Sequence, residues 1–261
     1  MGANRQGGNA ESGSLGAGTD GVPRHRLFID QLLAPGLSFT LEQTKAHYLA
    51  RVLRLEPGAQ IVCFNGDGHS YIASLSTVTR KTVSLEVETL FKTDKRVAPI
   101  TLVLSLIKRD ALDYALQKAT ELGVGRVQFC ISARTDARVN RNRLDQKRTH
   151  WANVVRSACE QCGRNFVPEL VEPKSLEKIA SELTHTESAY LFHPDAAIFK
   201  PPRQPIDTTL FVGPEGGWSK EEIELCSSLG VTIAGLGNHI LRADTAPQVC
   251  LGILQQSWGW P

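Results

Sequence analysis

Two loops in the C-terminal third carry residue types that could hold a small ligand. Gly213-Pro214-Glu215-Gly216-Gly217 follows an apolar run and leads to Ser219, which forms a Ser-x-x-Glu capping box with Glu222 at a helix start. Glycines let backbone approach a ligand closely, and the free N–H groups of a helix start point into the adjoining crevice. Glu215 would repel an anion, so the loop favours a ligand with a positive centre, or one held by neutral backbone groups. A plain strand-to-helix turn is the alternative, but it needs one glycine rather than three. The second loop runs from Leu236 and Gly237 through Asn238, His239, Ile240, Leu241, Arg242 and Ala243. Asp244 or Thr245 then serves as a helix N-cap before Ala246 and Pro247. Apolar residues between a glycine and a capped helix can line a flat aromatic ligand. His239 alone reads as an ordinary exposed or hydrogen-bonded histidine.

A third group lies near the middle of the chain. Glu160, Gln161 and Arg164 share one helical stretch, with Glu160 and Arg164 four apart, which is either a surface ion pair or a substrate-facing cluster. The basic run from Arg134 to Arg164, through Arg138, Arg141, Arg143, Lys147, Arg148 and Arg156, is either a solvated face or a polyanion footprint. Cys159 and Cys162 form a C-x-x-C within the same helix, and no second close cysteine pair completes a zinc site. No metal is expected. Nothing resembles a secretory signal, so reduced thiols in a cytoplasm are the economical reading.

These residues need elements to hold them. Ile100–Ile107 is a continuous apolar strand, the kind buried on both faces of a parallel sheet, followed by an amphipathic helix over 111–122. Strands at 127–131, 189–192, 208–212 and 231–234, a long helix over 143–162 and a closing helix over 247–257 complete an α/β pattern. Ligands of such sheets bind beyond the carboxyl ends of the strands, here the loops after Phe192, Val212 and Ala234. Upstream, residues 24–87 read as an all-strand unit with one helix over 44–55 and a hairpin at Asn65-Gly66-Asp67-Gly68. The first 22 residues hold seven glycines and almost nothing to bury, and read as a disordered tail. A G-x-G-x-x-G match inside that tail is spurious, because no strand precedes it.

The chain has 261 residues and a formal net charge of +2, which by itself argues against a polyanionic partner. The average conceals a gradient: residues 23–97 carry +3, 98–170 carry +5 and 171–261 carry −5. The positive charge is concentrated in the first two-thirds of the chain, in the pattern of a polyanion footprint. No apolar run approaches the roughly 18 residues that span a bilayer, so no membrane partner is expected.

Taken together and in this order, Gly213–Glu222, Leu236-Gly237 and Ile240-Leu241-Arg242 with Asp244-Thr245-Ala246 resemble the small-subunit (16S) ribosomal RNA uracil-N(3)-methyltransferase family, RsmE. The resemblance runs from Pro23 almost to the C-terminus and includes His47–Arg54, Gly66–Gly68, Lys118–Gly123, Glu160–Arg164 and Leu191–Asp195. It implies a SPOUT-type α/β methyltransferase domain with a deep C-terminal trefoil knot over 96–261, preceded by a small PUA-like β-barrel over 23–95. It implies S-adenosylmethionine held by Leu191, Phe192, His193, Val212, Gly213, Glu215, Gly216, Gly217, Leu236, Gly237, Ile240, Leu241, Arg242, Thr245 and Ala246. It moves Glu160, Gln161 and Arg164 toward a catalytic, substrate-facing role, joined by Arg134 and Arg242 as contacts to phosphate or uracil oxygen. The implied product is N3-methyluridine in 16S ribosomal RNA, within the 30S subunit, and the implied assembly is a homodimer.

Arg24, Arg26, Arg51 and Arg54 of the N-terminal unit, with Phe28, His47 and Tyr48 nearby, combine basic and aromatic residues that suit structured RNA, as does Arg138 in the basic run. On a helix Arg51 and Arg54 would be neighbours, with His47 on the same face. Four positions depart from the family's commonest pattern: His239, Ala243, Asp244 and Pro247. They leave open a non-catalytic RNA-binding or ribosome-assembly factor, or a knotted methyltransferase for a different RNA. None of the four removes a glycine or Arg242.

Overall fold

The computed structural model describes residues 23–95, 99–135, 144–183 and 188–259. Arg138, Arg141, Arg143 and the glycine-rich first 22 residues lie outside the described residues. The chain divides into two compact units: Asn65–Gly68 belongs with the residues from Thr93 onward, and the rest of the chain up to Lys92 forms the first unit.

The first unit is a five-stranded sheet of β1 (Arg26–Phe28), β2 (Ser38–Glu42), β3 (Gln60–Phe64), β4 (His69–Val78) and β5 (Thr82–Thr93), ordered β1-β3-β4-β5-β2. Alternation sets which side is buried: Tyr71, Ala73 and Leu75 of β4 and Val83, Leu85 and Val87 of β5 enter one core with Leu27, Leu41, Leu49 and Ile61. The helix expected over 44–55 is shorter and irregular. Only Gln43–His47 (α1) is α-helical, and Tyr48–Val52 widens into a π turn in which the Leu53 N–H donates to the Tyr48 carbonyl at 3.0 Å. The wider turn turns Ala46, Leu49 and Leu55 into the core. Arg54 leaves it in a left-handed conformation, φ 54°, so it is not the helical neighbour of Arg51 that 3.6-residue spacing implies.

The second unit is a six-stranded, all-parallel sheet of β6 (Ile100–Ser105), β7 (Arg126–Ile131), β8 (Glu169–Ser175), β9 (Ser188–Phe192), β10 (Thr208–Val212) and β11 (Thr232–Ala234). Its order is β11-β9-β10-β6-β7-β8. Both faces are covered, as the apolar runs require. Ile100, Leu102 and Leu104 pack with α2 (Arg109–Glu121), Trp151 of α3 (Leu144–Cys162) and α6 (Ala246–Ser257). Val103, Leu191 and Phe211 face α4 (Leu176–Ser181) and Cys226 of α5 (Lys220–Ser228). Sequence reading missed β8 and α4. β8 is charged and contains Pro173, which an edge strand tolerates because one side of its ladder is unpaired.

Parallel strands put the carboxyl ends of β6, β9, β10 and β11 on one edge. There the segment after β9 joins the one after β11: the Gly235 N–H donates to the Ala197 carbonyl at 2.7 Å and the Phe199 N–H to the Gly235 carbonyl at 2.8 Å. Only glycine fits at 235, because a Cβ would stand 2.5 Å from the Ala196 carbonyl oxygen. The end of α6 is fixed to the same excursion, with Ser257 Oγ and Trp258 Nε1 donating to the Pro202 carbonyl at 2.9 and 3.1 Å.

Candidate active site

A cavity of about 600 Å³ opens at this edge of the parallel sheet, inside the roughly 300–1,000 Å³ range of small-molecule sites. The strand-to-helix turn after β10 forms one wall. Ser219 Oγ accepts the Glu222 N–H at 3.2 Å while the Glu222 carboxylate accepts the Ser219 N–H at 2.8 Å, so the expected capping box is present. Gly217 has φ +69° and nothing within 4 Å of a would-be Cβ, leaving the loop backbone open to a ligand. The loop after β11 forms the facing wall. Thr245 is the N-cap residue of α6, with Pro247 in the first turn, but neither Thr245 nor Asp244 makes the expected side-chain cap.

Thirteen of the fifteen residues expected around the cofactor line this cavity: Phe192, His193, Val212, Gly213, Glu215, Gly216, Gly217, Leu236, Gly237, Ile240, Leu241, Arg242 and Ala246. Leu191 and Thr245 do not. The Leu191 side chain is fully buried against α4 and α5, because alternation along β9 turns it to the other face of the sheet. Lys108, Ala111, Pro194, Pro214, Trp218, His239, Ala243 and Asp244 also line the cavity. Lys108 and Ala111 escaped sequence reading although they follow an obvious strand. Their signal was available in the carboxyl-end rule, but only the strand order places β6 beside β10.

The five candidate catalytic residues separate. Arg134 and Arg242 line the cavity, and both are exposed. The Arg134 guanidinium donates to the Gly216 carbonyl at 2.8 Å. Glu160, Gln161 and Arg164 are not among the described lining residues. Gly163 ends α3 at φ +86°, so Arg164 does not continue the helical face that carries Glu160. Its guanidinium instead donates to the Thr120 and Val124 carbonyls at 2.6 and 2.9 Å, closing the C-terminal turn of α2. Burial pulls the Arg164 pKa below its ordinary value, with Cys159, Cys162 and Asp94 opposing that shift.

Charge around the cavity is mixed, with Lys108, Arg134 and Arg242 against Glu215 and Asp244. Glu221, in the first turn of α5, is held below the usual carboxylate range by its own backbone N–H, the Ser219 hydroxyl and the Arg134 cation. His193 Nδ1 accepts the Asp195 N–H at 3.3 Å, which leaves the proton of the neutral ring on Nε2. Trp218 is 3% exposed and its indole N–H has no acceptor among the described residues, leaving a buried donor beside the cavity. All six cysteines are free thiols; burial pushes Cys63 and Cys130 up to about 12, so neither is a nucleophile at neutral pH. No metal-binding cluster occurs among the described residues.

In the N-terminal unit Arg24, His47, Arg51 and Arg54 are exposed. Arg26 is half-buried and lies over the Phe64 ring at 4.8 Å, a cation–π contact that ties it to its own sheet.

A parallel sheet covered on both faces, with a cavity of mixed charge beyond its strand ends, is the setting of a small-molecule site, and comparison with known proteins supplies the class. Residues 93–255 match the RNA methyltransferase domain, and residues 41–88 match the RNA methyltransferase PUA domain. The chain therefore belongs to the RNA methyltransferases, with an α/β methyltransferase fold and a PUA-like domain.

Within that class it belongs to the ribosomal RNA small subunit methyltransferase E family. The Synechocystis member is 32% identical over 81% of this chain and 71% of its own length, and the Bacillus subtilis member is 26% identical over 88% and 95%. Two solved structures superpose closely. A putative methyltransferase from Legionella pneumophila in complex with SAM has a TM-score of 0.85 at 32% identity, covering 91% of this chain and 99% of that one. The methyltransferase E from Neisseria gonorrhoeae bound to S-adenosyl methionine has a TM-score of 0.81 at 29% identity, covering 90% and 98%.

Proposed function

We propose that this protein methylates N3 of one uridine in 16S ribosomal RNA, with S-adenosylmethionine as methyl donor. Methylation of small-subunit ribosomal RNA is the activity of its family, and the single observation that carries the cofactor assignment to this chain is the cavity between the two glycine-containing loops. The residues present fit the group. Phe192, Leu236, Ile240 and Leu241 offer apolar surface for an adenine ring, Glu215 and Asp244 suit its cationic centres, and Lys108, Arg134 and Arg242 suit its carboxylate or an RNA phosphate. When bound, the cofactor supplies a methyl group activated on a sulfonium.

The chain's own residues position and stabilise. A uracil ring that loses its N3 proton becomes anionic, and Arg134 and Arg242 on the cavity rim are the cations we assign to that charge. His193 lines the same cavity and offers an imidazole to the ligand. Apolar walls exclude water and hold the ring near the methyl group. In the N-terminal unit we assign RNA phosphates to Arg24, Arg51 and Arg54.

The knot and the dimer are part of the same reading. After β10 the chain passes β9 to form β11, then returns as α6 onto α2, with its end held by Pro202 of the β9–β10 excursion. That path supports threading of α6 through the excursion. Ile240, 84% exposed at the cavity, supports a second subunit there. Six free thiols support a reducing, cytoplasmic location.

The test is incubation with labelled S-adenosylmethionine and small subunits from cells lacking the protein. Label at N3 of one ribosomal uridine is expected; cofactor binding without transfer points to a different RNA, and no binding points to a scaffold. Gly217→Val, which combines a β-branched side chain with φ +69° in the open loop, is expected to abolish cofactor binding in calorimetry.

A further inference from the structure

The Glu222 carboxylate does more than cap its own helix. One oxygen accepts the Ser219 N–H at 2.8 Å, the usual reach of a capping box, and the other accepts the Ala133 N–H at 2.8 Å from 89 residues away. Ala133 belongs to a turn that bonds to itself: the Thr135 N–H donates to the Ser132 carbonyl at 3.1 Å, and Thr135 Oγ1 accepts the Ser132 N–H at 3.0 Å. The next residue, Arg134, crosses to the Gly216 carbonyl. Glycine at 216 permits the approach, since a Cβ there would stand 3.2 Å from the Arg134 Cβ. The turn after β7 and the turn after β10 are thus joined at two points, a carboxylate at one end and a guanidinium at the other.

We propose that Glu222 is a positioning residue for methyl transfer: by holding the Ala133 and Ser219 N–H groups on one carboxylate, it fixes the turn that presents Arg134 to the cavity. This rests on the reading of Arg134 as the cation that meets the substrate. A carboxylate accepting two backbone N–H groups is a charge-assisted, directional clamp, and nothing else among the described contacts of Ala133 replaces it. Without it, Arg134 keeps its charge but only one of the two ties that place it, its own bond to the Gly216 carbonyl, and small displacements of a catalytic group cost rate steeply.

The experiment compares variants of the full chain for kcat, RNA KM, cofactor affinity and melting temperature. Glu222→Gln puts an amide NH2 against one of the two N–H groups and breaks the clamp. Ala133→Pro removes the N–H from the other end while leaving Glu222 and its helix cap intact, and proline suits the second position of a turn. Ser219→Ala removes the capping hydroxyl and spares the clamp.

Arg134→Ala tests the underlying reading: a kcat near wild type would overturn the role of Arg134 itself. With that role in hand, Glu222→Gln and Ala133→Pro are each expected to lower kcat on the order of tenfold or more, with cofactor affinity within a few-fold. Ser219→Ala is expected to lower the melting temperature with kcat within about twofold. Combining either clamp variant with Arg134→Ala should add little to Arg134→Ala alone. The proposal is overturned if Ala133→Pro leaves kcat unchanged, or if Ser219→Ala and Glu222→Gln lower kcat equally. The first result makes the contact idle, and the second makes Glu222 a helix cap only.

Discussion

Arg164 and Arg134 read alike in the sequence, as two arginines at opposite ends of a basic run, and the structure gives them unlike work. Arg164 turns inward and bonds two carbonyls at the end of α2, while Arg134 reaches the glycine-rich wall of the cavity. The difference is made by Gly163, whose positive φ takes the chain off the helical axis one residue before Arg164. Arg164→Ala should therefore lower folding stability by about 1–3 kcal/mol, by leaving the Val124 carbonyl without a donor and the Thr120 carbonyl with only the Gly123 N–H. Urea denaturation measures the loss, and calorimetry should find cofactor affinity within a few-fold of wild type. Unchanged stability with abolished methyl transfer would return Arg164 to the reacting atoms.

Elements were legible where local pattern decides them. The Ser-x-x-Glu box marked the start of α5, continuous apolar runs marked β6 and β10, and alternation marked β5. The π turn over Tyr48–Val52 was not legible, because the burial of Leu49 and Leu55 in the tertiary core overrides the 3.6-residue period there. Glycines separate the same way. Gly252, inside α6 with nothing near a would-be Cβ, should tolerate alanine and gain about 0.5–1 kcal/mol through the reduced entropy of the unfolded chain. Gly68, at φ +100° with a would-be Cβ 2.3 Å from the Phe166 ring, should lose about 1–3 kcal/mol or more on the same change. Paired urea titrations of Gly252→Ala and Gly68→Ala check both signs, and a stabilised Gly68→Ala would contradict the docking of that hairpin turn.

At the scale of the whole molecule, the net charge of +2 divides into a basic first two-thirds and an acidic last third, and that division makes a quantitative demand on RNA binding. Each phosphate met by a cation releases counterions, so affinity should fall linearly with salt on logarithmic axes. Arg51/Arg54→Ala should make that slope shallower by roughly one to two. Filter binding to small-subunit RNA at several salt concentrations measures it, and an unchanged slope would remove these two arginines from the interface.

The sequence alone determined the strongly patterned elements and the chemistry of the two loops: apolar period, capping residues and glycine positions are local properties that act within a few residues. Tertiary structure decided what those elements bring together. Strand order set β6 beside β10 and added Lys108 and Ala111 to the cavity. Gly235 had to be bare because a carbonyl from the β9–β10 excursion passes over it. Arg134 met Gly216 across 82 residues, and Glu222 met Ala133 across 89. Such contacts follow from the packing of whole strands and helices, whose energies are summed over many residues and leave no mark at any one of them.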